Sequence, residues 1–318
     1  MNSLRSRLIG VTAAVIALIA PLGLSACSSR DGGKTAESST TAAAGGGCPT
    51  TPVNVVVSVD QWGDIVRDLG GECAQVTTVL ASSSVDPHDF EPSPADAATF
   101  AKAQLVVVNG ADYDPWASKL AATSAPKAPV VDAGVVTKTA AGANPHLWYS
   151  PSAVVAVADA VTAELAKLAP EAKGYFADQR TAFGTSLEPY NKLLSAIKAG
   201  ATGKTYAATE SVFDYTAEDV GLVNATPQGY KTASANESDP SPADLEAFRR
   251  ALADRQINVL IYNTKTEGSV PEQIRTAAEA AGVPVVDVTE TVPPGTTSFE
   301  TWQVAQLTAL AKALGVAV

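Results

Sequence analysis

The chain holds two histidines, and both sit in proline-stiffened runs: His88 in Asp86-Pro87-His88-Asp89-Phe90-Glu91-Pro92-Ser93-Pro94, and His146 in Asn144-Pro145-His146-Leu147-Trp148. Proline fixes its own φ and keeps the preceding residue out of the helical region, so each imidazole rides on a stiff loop. Two glutamates follow apolar runs in the second half of the chain. Glu210 comes just after residues 206–208 and Glu290 just after Val285–Val288, with Asp287 as the alternative to Glu290. Two imidazoles and two carboxylates, if brought together, suit a divalent transition metal. Each also has an ordinary structural use, as a loop histidine bonded to a carboxylate, a helix-start acid or a solvated turn residue. The four lie between residues 88 and 290, so spacing alone makes no motif, and a scaffold must gather them.

That scaffold reads as α/β. The β-branched run Val53–Val59 predicts a strand, followed by a helix over 61–69 and a strand over 75–80. Ser93 and Pro94 have the character of an N-cap and first helical position, and Asp96 suits the positive helix end, opening a helix over 94–103. A strand over 105–109, a turn at Gly110, a helix over 116–122 and a strand at 130–131 follow. Near-continuous apolar strands alternating with helices indicate a parallel sheet covered on both faces. Residues 141–151 form a loop and 152–168 a helix. A second helical segment runs from Pro170 to about residue 198, roughly 40 Å at 1.5 Å per residue, with Gly184 and Pro189 as points where it would kink or split.

The pattern then restarts. Pro92-Ser93-Pro94-Ala95-Asp96 recurs as Pro240-Ser241-Pro242-Ala243-Asp244, and each copy precedes an apolar strand ending in Asn, at Asn109 and Asn263. Pro129-Val130-Val131-Asp132 recurs as Pro284-Val285-Val286-Asp287, Asp68-Leu69-Gly70 as Asp219-Val220-Gly221, and Trp62 corresponds to Phe213. Matches that recur in one order indicate two homologous α/β lobes, with helical residues 169–200 between a lobe over 48–168 and a lobe over 201–318. The second Pro-Ser-Pro-Ala-Asp copy has no histidine before it, only Asn236, Glu237 and Asp239. Ligands in such folds bind outside the carboxyl ends of the strands, where all four candidate residues fall.

The start of the chain belongs to export. Arg5 and Arg7 precede an apolar run over 8–24, and Leu24-Ser25-Ala26-Cys27 resembles a bacterial lipobox. Residues 1–26 then form a signal peptide, and Cys27 becomes the lipidated first residue of the mature chain. Removing 1–26 takes two arginines and no acid, moving the net charge from −11 to −13, a poor balance for nucleic acid or anionic lipid. Residues 27–47, rich in Ser, Thr, Ala and Gly, read as a flexible tether reaching roughly 25 Å. Cys48 and Cys73 remain. Export to an oxidising compartment favours a bridge between them, and each lies shortly before one of two neighbouring strands.

The two histidine runs, together with Glu210-Ser211-Val212-Phe213-Asp214-Tyr215 and Gly221-Leu222, resemble the metal-binding lipoproteins of zinc/manganese ABC importers, periplasmic solute-binding proteins. The resemblance extends from residue 53 to 314. It implies two parallel-sheet α/β lobes joined by a long rigid helix, with one metal in the cleft. Matched residue by residue, His88 and His146 are the histidine ligands and Glu210 the third ligand. Glu290 falls where the family has an Asp, which keeps Asp287 open as the fourth. The His-rich loop of many zinc-type members is absent. The implied cargo is Zn²⁺ or Mn²⁺, with Fe²⁺ as a further candidate, and the implied partners are an ABC permease and, through it, its cytoplasmic ATPase. The protein is then a monomer anchored by lipid to the outer face of the cell membrane. Four protein ligands leave no open position for a substrate, which favours a carrier over an enzyme. A metal-dependent hydrolase and a surface adhesin are the alternatives.

Overall fold

The computed structural model describes residues 47–81, 90–236, 238–266 and 268–318. The signal peptide, Cys27, tether residues up to 46, Glu237 and the segment 82–89 that carries His88 lie outside the described residues.

The first lobe opens with strand β1 (Val53–Val59), whose five valines are all buried. Burial of each such side chain contributes about 1.5–3 kcal/mol. Helix α1 (Asp60–Gly70) leads to β2 (Ala74–Leu80), and α2 (Pro94–Phe100), β3 (Leu105–Val108), α3 (Pro115–Ser124), β4 (Val130–Asp132) and α4 (Ala133–Thr137) follow. The four strands form one parallel sheet in the order β2-β1-β3-β4. Helices α5 (Pro151–Leu168), α6 (Lys173–Ser186) and α7 (Glu188–Ala201) lead into the second lobe. There β5 (Thr205–Ala208), α8 (Asp214–Asp219), β6 (Val223–Asn224), α9 (Gln228–Ala235), α10 (Pro242–Ala253), β7 (Val259–Asn263), α11 (Ser269–Ala281), β8 (Val285–Val288) and α12 (Phe299–Ala313) build a second parallel sheet, ordered β6-β5-β7-β8. The two sheets share one topology. The repeated Pro-Ser-Pro-Ala-Asp does the same work in each: Ser93 Oγ accepts from Asp96 N–H at 3.3 Å and Ser241 Oγ from Asp244 N–H at 3.2 Å, capping α2 and α10.

Three boundaries differ from the sequence reading. The helix expected over 94–103 stops at Phe100, because the Lys102 and Ala103 amides bond three residues back and turn the chain into β3. The strand expected over 105–109 stops at Val108, because the Asn109 N–H goes to Asp114 Oδ2 at 2.8 Å instead of to a neighbouring strand. The single long connecting helix is two helices meeting at Leu187, with Pro189 in the first turn of α7. The break divides the labour: α6 packs on α1 and α5, and α7 packs on α12 of the second lobe.

One apolar core runs through both lobes. Tyr149, in a buried 3₁₀ turn before α5, lies edge-on to Phe213 at 5.1 Å and Trp302 at 5.6 Å between ring centroids. The second sheet also buries its other face. Ala207 and Leu260 alternate with Tyr206, Val259 and Ile261 along their strands, and the first set packs with Tyr230, Phe248 and Ile274 in a separate cluster. A disulfide joins Cys48 to Cys73, with Cα atoms 4.9 Å apart, at the end of the sheet where β1 and β2 both begin. No helix among the described residues is long and apolar enough to cross a membrane.

Candidate metal centre

His146 caps a 3₁₀ turn over Leu147–Tyr149 whose three side chains are fully or nearly fully buried. Its ring is walled by Trp148, edge-on at 5.4 Å, and by Tyr113 at 6.0 Å. Asn144 fixes its tautomer. Asn144 Oδ1 accepts from the His146 backbone N–H at 3.1 Å, while Nδ2 donates to the Ser211 carbonyl at 2.7 Å. The amide orientation is therefore set, and the His146 Nδ1 atom, 2.6 Å from that Oδ1, must carry the proton. In the neutral ring this leaves an uncovered lone pair on Nε2. That atom faces Glu290 Oε1 of the second lobe at 3.6 Å. A lone pair opposite a carboxylate oxygen is repulsive unless a cation, whether a proton or a metal ion, joins them.

Glu290 stands two residues beyond β8, and among the described residues side chains of the first lobe hold it and the residue before it. Gln61 Nε2 donates to its backbone carbonyl at 3.0 Å, Tyr113 Oη donates to its Oε1 at 2.9 Å, and the Tyr149 hydroxyl meets the preceding carbonyl of Thr289 at 2.7 Å. Asp287 has the opposite fate. Strand parity turns it outward between buried Val286 and Val288, where it pairs with Arg275 of α11 at 2.8 Å. The alternative fourth ligand is thus held away from the cleft by the alternation of side chains along β8.

Glu210 is extended, two residues past the end of β5, and holds the N-cap position of a 3₁₀ turn just as His146 does. Asn263 Nδ2, from the end of β7, donates to its Oε2. Burial pushes the Glu210 carboxyl above the ordinary range; the Asn263 bond and His146 work against this and the Glu290 charge adds to it. Glu210 therefore feels both members of the His146–Glu290 pair. Among the described residues no three His, Cys, Asp or Glu side chains gather into a group that would hold an ion by themselves. Tyr113, Gln61 and Asn263 are neighbours of the candidate ligands that the sequence does not mark as such, and Asn144 is marked only as part of the run around His146. Asn263 has a signal of its own in the sequence, as one of the two strand-ending asparagines.

Comparison with known proteins agrees with this arrangement of lobes. Residues 55–313 match the family described as "ZnuA: Zinc-uptake complex component A periplasmic". The chain is 24% identical over 234 residues to the high-affinity zinc uptake system protein ZnuA of Bacillus subtilis, covering 66% of this chain and 69% of that one. It is 26% identical over 245 residues to the iron-binding protein YfeA of Yersinia pestis, covering 70% and 74%. The fold matches that of the solute-binding protein FpvC from Pseudomonas aeruginosa, solved in complex with Mn²⁺, with a TM-score of 0.69 at 21% identity over 83% of this chain and 99% of that one.

Proposed function

The chain belongs to the family of periplasmic zinc-uptake components, and from that membership we propose that it captures one divalent transition metal ion outside the cytoplasm and delivers it to an ABC permease, coupled through it to a cytoplasmic ATPase. The ion is cargo, and the protein is a carrier rather than an enzyme. The family serves metal uptake and not catalysis, which removes the hydrolase reading, and uptake is favoured over the adhesin reading.

The proposed ligands are His146 and His88 from the first lobe and Glu210 and Glu290 from the second. His88 enters on its sequence run alone. Glu290 is chosen over Asp287 because Asp287 is engaged with Arg275. The observation that carries the reading is the lone pair of His146 Nε2 facing Glu290 Oε1 across the lobes, with the opposite ring nitrogen committed to Asn144. Metal-ligating histidines are oriented in this way, through the second ring nitrogen. Relatives named for zinc and iron fit a cargo of Zn²⁺, Mn²⁺ or Fe²⁺, and an N/O donor set accepts all three. Cys27 carries the lipid, residues 28–47 tether the lobes beside the permease, and the chain works as a monomer.

Elemental analysis of the purified protein and of the double variant His88→Ala with His146→Ala tests this. One ion per chain is expected in the parent and none in the variant. Retention of one tightly bound ion by the double variant refutes the site. Competitive titration with Zn²⁺ and Mn²⁺ identifies the preferred cargo.

A further inference from the structure

Three consecutive residues after β3 have left-handed backbones: Gly110, Ala111 and Asp112, with φ of 66°, 50° and 62°. Only glycine adopts this conformation without cost; for other residues it costs roughly 1–2 kcal/mol each. The turn is over-determined by its surroundings. Buried Asp114 accepts from the backbone N–H groups of both Asn109 and Gly110 at 2.8 Å, and the Tyr113 N–H closes back onto Gly110 O at 3.0 Å. At Gly110 a Cβ would stand 2.0 Å from Asp132 Oδ1. What this strained turn delivers is Tyr113, fully buried, with its hydroxyl on the second lobe's Glu290.

The hydrogen bonds here have only one possible direction. The Glu290 backbone carbonyl can only accept, so the Gln61 atom bonded to it is the amide nitrogen. That same nitrogen donates to Tyr113 Oη at 3.0 Å, so the tyrosine's own proton goes to Glu290 Oε1 at 2.9 Å. Two first-lobe side chains thus grip both the main chain and the carboxylate of one second-lobe residue. The tyrosine occupies one lone pair of the oxygen that faces His146 Nε2 at 3.6 Å. With bonds of about 2.1 Å, tetrahedral neighbours around a metal stand about 3.4 Å apart and right-angled octahedral neighbours about 3.0 Å. The held spacing is on the tetrahedral side.

Resting on the metal-carrier reading above, we infer that Gln61 and Tyr113 are positioning residues that fix Glu290 as a one-oxygen ligand, and that this grip weights the site toward ions content with four ligands, such as Zn²⁺, over ions that seek six, such as Mn²⁺. Without the Tyr113 bond, Oε1 loses one restraint, and a carboxylate less tightly aimed serves the larger coordination number more nearly as well as the smaller. The two residues act through Glu290 and do not touch the ion.

Affinities for Zn²⁺ and Mn²⁺, measured by chelator competition on the mature chain, test this. Tyr113→Phe is expected to weaken Zn²⁺ binding by about 10–100-fold, the range for loss of an outer partner. Mn²⁺ binding should weaken at least tenfold less, so that the Zn²⁺ preference shrinks. In a Glu290→Ala background Tyr113→Phe should have no further effect. Equal losses for both ions, a loss below threefold for Zn²⁺, or an undiminished loss in the Glu290→Ala background overturns the inference. Gln61→Leu is the second variant, expected to move the Zn²⁺/Mn²⁺ ratio in the same direction, and it decides the matter if Tyr113→Phe melts before it can be titrated. A parent chain that binds neither ion overturns the carrier reading itself, a different result from a parent that binds and a variant that does not change.

Discussion

Asn109 and Asn263 stand at matching places in the two lobes, one residue past β3 and at the end of β7, and both are buried. Asn109 accepts from Trp62 Nε1 at 2.9 Å and donates to the Pro145 carbonyl at 2.9 Å, holding the backbone just ahead of His146. Asn263 donates directly to the Glu210 carboxylate and accepts from the Lys265 N–H at 3.1 Å. The same amide at the same strand end therefore steadies a loop in one lobe and a candidate ligand in the other. Each sheet carries a donor at its mouth, and the loops beside it determine what the donor holds. The first lobe presents an imidazole, the second presents carboxylates, and a cation satisfies both only when it lies between them.

The lobes also differ in how they are closed. The chain has three cysteines, and the bridge Cys48–Cys73 lies in the first lobe, while the second lobe contains no cysteine. If the first lobe depends on its staple, replacing both cysteines with serine removes a cross-link spanning 25 residues, worth about 3 kcal/mol by loop entropy. Thermal unfolding should then fall by on the order of 5–10 °C. Loss of less than about 1 kcal/mol would mean that the valine core of β1 holds the first lobe as the second lobe's core holds itself.

A smaller change separates local orientation from communication between lobes. Asn144 belongs to the first lobe, yet it bonds Ser211 O, beside Glu210, as well as both the backbone and the ring of His146. Asn144→Ala should weaken metal binding by about 10–100-fold, read by the same chelator competition. An effect within threefold would mean that packing against Tyr113 and Trp148 alone orients the imidazole, and that the lobes do not share this residue.

How far all this was legible depends on range. The two sheets were readable because strands, caps and the Pro-Ser-Pro-Ala-Asp repeats are local patterns, and Glu210 and Glu290 were readable as strand-end acids. What separates Glu290 from Asp287 as a candidate was not, because it rests on the face of β8 that Asp287 takes and on Arg275 from α11, a contact the sequence pattern does not show. The break at Leu187 was legible only as Pro189 and Gly184. Tyr113 and Gln61 left no mark at all. Their meaning lies in a contact to Glu290 that is 177 residues away from one and 229 from the other, through a turn in which only one of three left-handed residues is glycine.

The smallest expected effect concerns charge at the junction of the lobes. Asp60 opens α1, and its carboxylate accepts from the backbone of Val292 in the second lobe; by the repeat that pairs Trp62 with Phe213, its counterpart is the neutral Ser211. Burial raises the Asp60 pKa to about 6, the bond from Val292 works against this, and the charge of Asp64 adds to it. The folded value lies above the unfolded value near 4, so the native state holds this proton more tightly. The contribution to stability is full below about pH 4 and is lost as pH rises through about 6. Partial exposure reduces the contribution to roughly 1 kcal/mol. Asp60→Asn should therefore melt a few degrees above the parent at pH 7.5, and the difference should fade by pH 4.5. Asp68, raised to about 6 by burial and by the Glu300 charge, contributes a slope of the same sign to parent and variant alike, so their difference isolates Asp60. A variant less stable than the parent at pH 7.5 would show that the ionised carboxylate's bond to Val292 outweighs the cost of its burial. In that case the first lobe's charge, absent from the second, would be part of what holds the two together.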